Sequence, residues 1–194
     1  IKAREDGAEL ILGPVFAASV AAVAPEAGGA NVPVIGFSTD RSVAGDGVFL
    51  LGFFPRNEIE RVIGFARSRG HKRFAALIPN NAYGNRVVSA LNAAVTRHGG
   101  AVVQVARYNP AVADISDVVR RLANYTERKD RLDHQRRILT ARDDEASRLA
   151  LKRLERYETL GDLPFDAVIL PEGGDRLRSL APLLPFYDID PVKI

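Results

Sequence analysis

Short apolar runs along the chain alternate with segments whose apolar residues recur at helical spacing. The apolar runs are each of strand length and span residues 9–13, 32–37, 48–53, 73–78, 101–106 and 165–170. Between them, positions such as Ile59, Ile63 and Ala66 share one face of a helix. An alternation of buried strand and amphipathic helix is typical of parallel sheets with helices on both faces. The pattern therefore predicts an α/β fold with parallel sheets.

One segment, from Glu127 to Glu158, differs from the rest in its charge. It contains ten Lys or Arg residues and eight Asp or Glu residues. Opposite charges at i,i+4 spacing favour a helix, and a thin apolar stripe runs from Leu132 to Tyr157. We predict a charged helical insertion at about 124–163, with a break near Thr140. Two interpretations stay open: a solvated helix that lengthens a crossover, or a surface that binds a protein partner.

Candidate ligand-binding residues follow the predicted strands. Parallel α/β sheets bind ligands at the carboxyl ends of their strands, so the informative positions are the following loops and helix starts. These positions are Ser19, Ser38, Asp40, Tyr83 and Glu172. We predict that they approach one cleft.

Composition removes several classes of chemistry. The chain has no Cys, so it has no disulfide, thiolate nucleophile or Cys-ligated metal. It has no Gly-x-Gly-x-x-Gly, Walker lysine or Gly-x-Ser-x-Gly motif, and its three histidines are scattered. We therefore predict no catalytic residue, no metal site and no cofactor.

Charge and hydropathy argue against a nucleic-acid partner and against a transmembrane segment. The net charge is only +3, and the arginines of the charged segment alternate with acids and lack an aromatic platform. No nucleic-acid partner is expected. The apolar runs are also far too short to form a transmembrane segment.

Four motifs, in their order, resemble the leucine/isoleucine/valine-binding type of periplasmic protein. They are Glu9–Pro14 (ELILGP), Val32–Ser38 (VPVIGFS), Ala82–Gly84 (AYG) and Phe165–Leu170 (FDAVIL). The resemblance implies a two-lobed type I periplasmic-binding-protein fold with parallel sheets, present as a partial domain. Residues 1–52 would belong to the first lobe and residues 53–194 to the second. The family's first strand and helix would precede Ile1, and the returning strands would follow Ile194.

The resemblance also implies where a ligand would bind. The hydroxyl that holds the ligand carboxylate in amino-acid binders falls on Ala17, with Ser19 two residues later. The family's small-residue and Thr loop falls on Ser38, Thr39 and Asp40, and its tyrosine is Tyr83. Because Ala17 lacks the hydroxyl and Asp40 adds a negative charge, we expect no tight binding of leucine, isoleucine or valine.

The charged insertion, together with the segments 163–166 and 170–178, resembles the penicillin-binding-protein activator branch of the family. Members of that branch are envelope proteins, often lipoproteins, that stimulate peptidoglycan synthases. This implies a non-enzymatic, extracytoplasmic binding or regulatory domain in the periplasm or cell envelope. It also implies a lipid anchor outside this chain and a peptidoglycan synthase as partner. The alternative is the solute-binding receptor of a branched-chain amino acid ABC transporter, with a small-molecule ligand in its cleft. An α/β enzyme is disfavoured because no nucleophile, acid and base converge.

Overall fold

The apolar runs form strands and the amphipathic segments form helices in the computed structural model, which describes residues 2–30, 32–52 and 54–190. The strands are β1 (Ile11–Leu12), β2 (Val34–Gly36), β3 (Val48–Leu50), β4 (Arg73–Pro79), β5 (Ala101–Tyr108) and β6 (Ala167–Ile169). The helices are α1 (Lys2–Glu5), α2 (Ala17–Ala30), α3 (Pro55–Ser68), α4 (Ala82–Arg97), α5 (Ser116–Leu122), α6 (Tyr125–Arg142), α7 (Glu145–Leu154), α8 (Gly174–Leu180) and α9 (Leu183–Phe186). The chain divides into two compact units, Ile1–Glu58 and Ile59–Ile194.

The first unit contains the parallel sheet β1-β2-β3. Its strands are in register at Ile11, Val34 and Val48. Val34 and Val48 pack with Val20 and Ala27 of α2 to form a small buried cluster. The helix therefore covers the face of the sheet on which these valines lie.

The second unit contains the parallel sheet β5-β4-β6. Alternate residues of β4 enter two different cores. Phe74, Ala76 and Ile78 pack with α3 and α4, whereas Ala75 and Leu77 pack with α5, α8 and the segment around Phe165. All five are fully buried, as expected for a central strand with helices on both faces. The predicted α/β fold with parallel sheets is confirmed.

Helices α6 and α7 form a charged hairpin that packs on the second unit. Leu132 and Leu139 of α6 are buried, and Arg128 of the same helix forms an ion pair with Asp188 at 3.1 Å. The hairpin turns at Asp143, whose φ is 48°, and the Asp144 side chain accepts a hydrogen bond from Ser147 N at 2.7 Å. The predicted break near Thr140 is therefore about three residues early, because Asp144 provides the N-cap.

Two helix starts also differ from the sequence prediction. The apolar spacing predicts a loop over 79–84 and a helix from Arg86 to His98. Helix α4 instead begins at Ala82, because the Asn81 side chain accepts a hydrogen bond from Gly84 N at 2.9 Å and caps the helix. Proline favours the first turn of a helix, which predicts a helix from Pro14, but helix α2 begins three residues later, at Ala17. The first correction moves Tyr83 from a loop into the first turn of a helix.

Candidate functional site

The carboxyl ends of the strands in the second unit gather polar and aromatic side chains. Strands β4 and β5 end in register, with Pro79 opposite Tyr108. Helix α4 begins three residues after Pro79, and a four-residue segment, 170–173, leads from β6 to α8. The first turn of α4, the end of β5 and the segment before α8 therefore share one edge of the sheet.

Tyr108 and Glu172 are hydrogen-bonded at this edge. The Tyr108 hydroxyl donates to Glu172 Oε1, and the tyrosine is only 2% exposed. Burial raises the pKa of Tyr108 to about 12, with smaller contributions from the hydrogen bond and charge of Glu172, while the hydrogen bond and charge of Arg176 oppose them. The pair joins residues 64 positions apart in the sequence and fixes the Glu172 carboxylate at the end of β5.

Tyr83 lies within the electrostatic reach of the same carboxylate. It is half-buried in the first turn of α4 and packs against the core that contains Ile78 and Val87. Burial raises the pKa of Tyr83, and the charge of Glu172 raises it further, while the charge of Arg86 opposes them. The structure therefore brings the two predicted residues Tyr83 and Glu172 to the same edge.

Arg176 of α8 holds the loop that follows β5. Its guanidinium lies over the Tyr108 ring, 5.0 Å from the ring centroid, and donates to Val112 O at 2.8 Å. Longer contacts reach the carbonyl oxygens of Asn109, Pro110 and Ala113. The arginine thus connects α8 to the 109–113 segment and covers one face of the tyrosine.

The predicted residues of the first unit lie at the end of β2 and in α2. Ser38 is 3% exposed, and its hydroxyl accepts a hydrogen bond from Asp40 N at 3.0 Å. Asp40 in turn caps the 3-10 turn Arg41–Val43 by accepting from Ser42 N at 3.0 Å and from the Ser42 hydroxyl at 2.7 Å. Ser19 is exposed in the first turn of α2, and Thr39 is half-buried. The common cleft for both sets of residues stays a prediction.

Tyr108 and Arg176 were not among the residues predicted from the sequence. Tyr108 is the last residue of β5, so the rule that selected the other candidates applies to it as well. Arg176 could not be found in this way, because its partners are backbone carbonyl groups 63 to 67 positions earlier in the chain.

A concave region lies near the amino ends of β4 and β6, away from the edge that holds Tyr83, Tyr108 and Glu172. It is a pocket of about 960 Å³ between the charged hairpin, the 159–166 segment and Asp188. The buried polar side chains that line it bind one another: Arg128 pairs with Asp188 at 3.1 Å, and the Thr159 hydroxyl donates to the same carboxylate. None of the candidate residues lines it. We favour the carboxyl edge as the functional site, because ligands of parallel sheets bind there.

The described ranges contain no cluster of His, Asp or Glu side chains that could hold a metal ion. Within the same ranges, no helix is both long and apolar enough to cross a membrane.

Residues 2–126 match the family model described as "Periplasmic binding protein". This chain belongs to the periplasmic binding protein family. The match covers both parallel sheets except β6 and includes Ser19, Ser38 and Tyr83. A search of curated proteins finds no match to this periplasmic binding protein chain.

Solved structures share the fold. A branched-chain amino acid ABC transporter periplasmic ligand-binding protein from Burkholderia xenovorans LB400 aligns with 99% of this chain and 44% of its own, at a TM-score of 0.64 and 15% identity. A type 1 periplasmic binding protein from Bordetella pertussis Tohama I aligns with 94% of this chain and 41% of its own, at a TM-score of 0.59 and 18% identity.

A third similar structure is an ABC transporter solute-binding protein from R. palustris in complex with 4-hydroxybenzoate. It aligns with 63% of this chain and 34% of its own, at a TM-score of 0.53 and 21% identity. The chain therefore has the type I periplasmic-binding-protein fold as a partial domain, and it spans less than half the length of these structures.

Proposed function

We propose that this chain is part of the solute-binding receptor of an ABC transporter and that a small molecule binds at the carboxyl edge of its sheets. The observation that carries the proposal is the convergence of Tyr83, Tyr108 and Glu172 at the carboxyl edge of β5-β4-β6. A rigid sheet with both faces covered holds these side chains in place, as ligand sites require. The similarity to solute-binding proteins of ABC transporters supports the same function.

The two units correspond, in this proposal, to the two lobes of a binding protein. Residues 1–52 supply Ser19, Ser38, Thr39 and Asp40, and residues 53–194 supply Tyr83 and Glu172. Membership of the family implies a periplasmic location and a binding function without catalysis.

The activator interpretation receives less support. It rested on the charged insertion and on the segments 163–166 and 170–178. The Arg128–Asp188 ion pair connects the insertion to its own unit, and Leu132 and Leu139 of the insertion are buried. The similar solved structures are solute-binding proteins. A lipid anchor and a peptidoglycan synthase partner stay sequence-based predictions that no contact of the described residues favours.

Ligand binding to the intact protein tests the proposal. Amino acids, aromatic acids, amines and sugars would be screened by thermal stabilisation, and the hits measured by calorimetry. Tyrosine fluorescence gives a second readout, because the chain has no Trp and its five tyrosines all lie after residue 58. We expect at least one solute to raise the melting temperature, and leucine, isoleucine and valine to bind weakly.

Two matched variants locate the bound solute. Tyr83→Ala removes a ring at the proposed site and should weaken binding about tenfold or more. Tyr157→Ala removes an exposed ring of the 155–158 segment and should bind like the unaltered protein. The proposal fails if no solute stabilises the protein, or if both variants bind equally well.

A further inference from the structure

We infer that the second unit selects a solute with a positively charged nitrogen, and that Glu172 is the residue that selects it. This inference rests on the proposed function and names the class of ligand that the site would take. It starts from the two tyrosines on which Glu172 acts. Its Oε1 accepts the Tyr108 hydroxyl, and its charge acts on Tyr83 as well.

The charge of Glu172 is not neutralised by a direct partner. Among the described residues, Glu172 forms no ion pair, and Tyr108 is its hydrogen-bond donor. The half-buried carboxylate therefore keeps acceptor capacity beyond the one hydrogen bond that Tyr108 supplies.

The cation that lies over Tyr108 is committed elsewhere. Arg176 uses its guanidinium on the Val112 carbonyl at 2.8 Å and on three further carbonyl oxygens of the 109–113 segment. Moving it toward Glu172 would leave the Val112 carbonyl without this donor. The edge therefore presents the half-buried carboxylate of Glu172 to a ligand, while Arg176 is held by the 109–113 backbone and by its contact with the buried Tyr108.

Such an edge favours a cation over an anion. A protonated amine can donate a charge-assisted hydrogen bond to the carboxylate, and a tyrosine ring attracts a cation. A ligand carboxylate at the same place would meet a like charge. The R. palustris neighbour, by contrast, was solved with the anion 4-hydroxybenzoate.

Pairs of probes that share a carbon skeleton separate charge from shape. Tyramine would be compared with 4-hydroxyphenylacetate, and isoamylamine with isovalerate, by calorimetry on the intact protein. We expect the amine of at least one pair to bind about ten- to a hundredfold more tightly than its acid, the value of one hydrogen bond to a charged group. The acids should bind weakly or not at all.

Substitution of Glu172 assigns the preference to one residue. Glu172→Gln keeps an oxygen that can accept the Tyr108 hydroxyl but removes the charge, so its melting temperature should change little. We expect it to abolish the preference for the amine. Glu158→Gln makes the same charge change at an exposed position and should keep the preference.

The outcomes separate this inference from the proposed function. If acids bind as well as amines, or if Glu172→Gln keeps the preference, the inference is wrong and the receptor function stands. The same holds if other solutes of the screen bind and neither amine does. If no solute of any class binds, both are wrong.

Discussion

The two parallel sheets differ in how many of their faces are covered. In β5-β4-β6, alternate residues of β4 enter separate cores and are fully buried. In β1-β2-β3, Val34 and Val48 are buried under α2, but Leu12, Phe49 and Leu51 are 67%, 61% and 65% exposed. Leu12 and Phe49 both lie in register with Ile35, so the exposed residues share the opposite face.

Parallel sheets are usually covered on both faces. At β4 the second unit meets this requirement with its own helices, whereas α2 covers one face of the first unit's sheet and leaves Leu12, Phe49 and Leu51 exposed on the other. A large exposed apolar face in a soluble protein indicates a surface that another layer covers. The comparison therefore predicts that the second unit is stable by itself and that the first is not.

The largest expected difference is in cooperative unfolding, when residues 54–190 and residues 2–52 are expressed separately. Residues 54–190 contain both cores of β4 and should unfold cooperatively in urea. Residues 2–52 are too few to bury a sufficient core, and half of their sheet is uncovered, so they should show no cooperative transition. Circular dichroism during the urea titration measures both. A cooperative transition of 2–52 would show that the exposed face costs little.

The next largest expected effect is the loss of unfolding free energy when the Arg128–Asp188 ion pair of the second unit is broken. The side chains are 7% and 9% exposed, and Arg128 also donates to the backbone of Gly161. Arg128→Ala leaves the Asp188 carboxylate buried without this partner, which costs roughly 3–5 kcal/mol of unfolding free energy. The exposed Arg137→Ala on the same helix should cost no more than about 0.5 kcal/mol.

A double variant checks the cause of that loss. Adding Asp188→Asn to Arg128→Ala removes both charges and should recover part of the stability. Equal losses in the single and double variants would mean that lost packing, and not an unpaired charge, destabilises the hairpin. Urea denaturation of the intact protein measures each variant.

The central strand β4 was predictable because burial on both faces leaves a continuous apolar run in the sequence. It was predicted over 73–78 and extends over Arg73–Pro79. Strand β5, in which alternate residues are exposed, was predicted over 101–106 and extends over Ala101–Tyr108. The start of α4 was missed because Asn81 acts through its side chain. Gly84 lies in that first turn because a Cβ there would come within 1.9 Å of the Pro79 carbonyl oxygen.

The candidate site was only partly predictable, for a different reason. Tyr83 and Glu172 follow strands, so local pattern and sheet topology together identify them. Their relation through Tyr108 depends on a contact across 64 positions, which no local pattern contains. The role of Asp40 was also hidden, because the same carboxylate pattern fits a ligand contact and the cap of a 3-10 turn.

A pair of leucine substitutions compares the two sheets at single-residue level. Leu77 is fully buried, so Leu77→Ala should cost about 2–5 kcal/mol of unfolding free energy. Leu12 is 67% exposed, so Leu12→Ala in the 194-residue chain should cost at most about 0.5 kcal/mol. Urea denaturation provides both values. A cost above about 2 kcal/mol for Leu12→Ala would show that its face is covered in solution.

The smallest expected effect is a pH dependence of the unfolding free energy that comes from Tyr108, at the carboxyl edge of β5-β4-β6. The first unit contains no tyrosine and therefore has no counterpart of this effect. The pKa of Tyr108 is raised from 10.0 to about 12, so folding favours the neutral hydroxyl. Its contribution to stability is present below pH 10 and is lost as the pH rises through about 12. Tyr108→Phe has no proton to lose, so its stability should fall less steeply with pH above 10 than that of the unaltered protein.

Urea denaturation at a series of pH values measures both slopes, and Tyr157→Phe controls for removal of a hydroxyl elsewhere. Parallel slopes for the unaltered protein and Tyr108→Phe would mean that the Tyr108 hydroxyl ionises equally readily in the folded and unfolded chains.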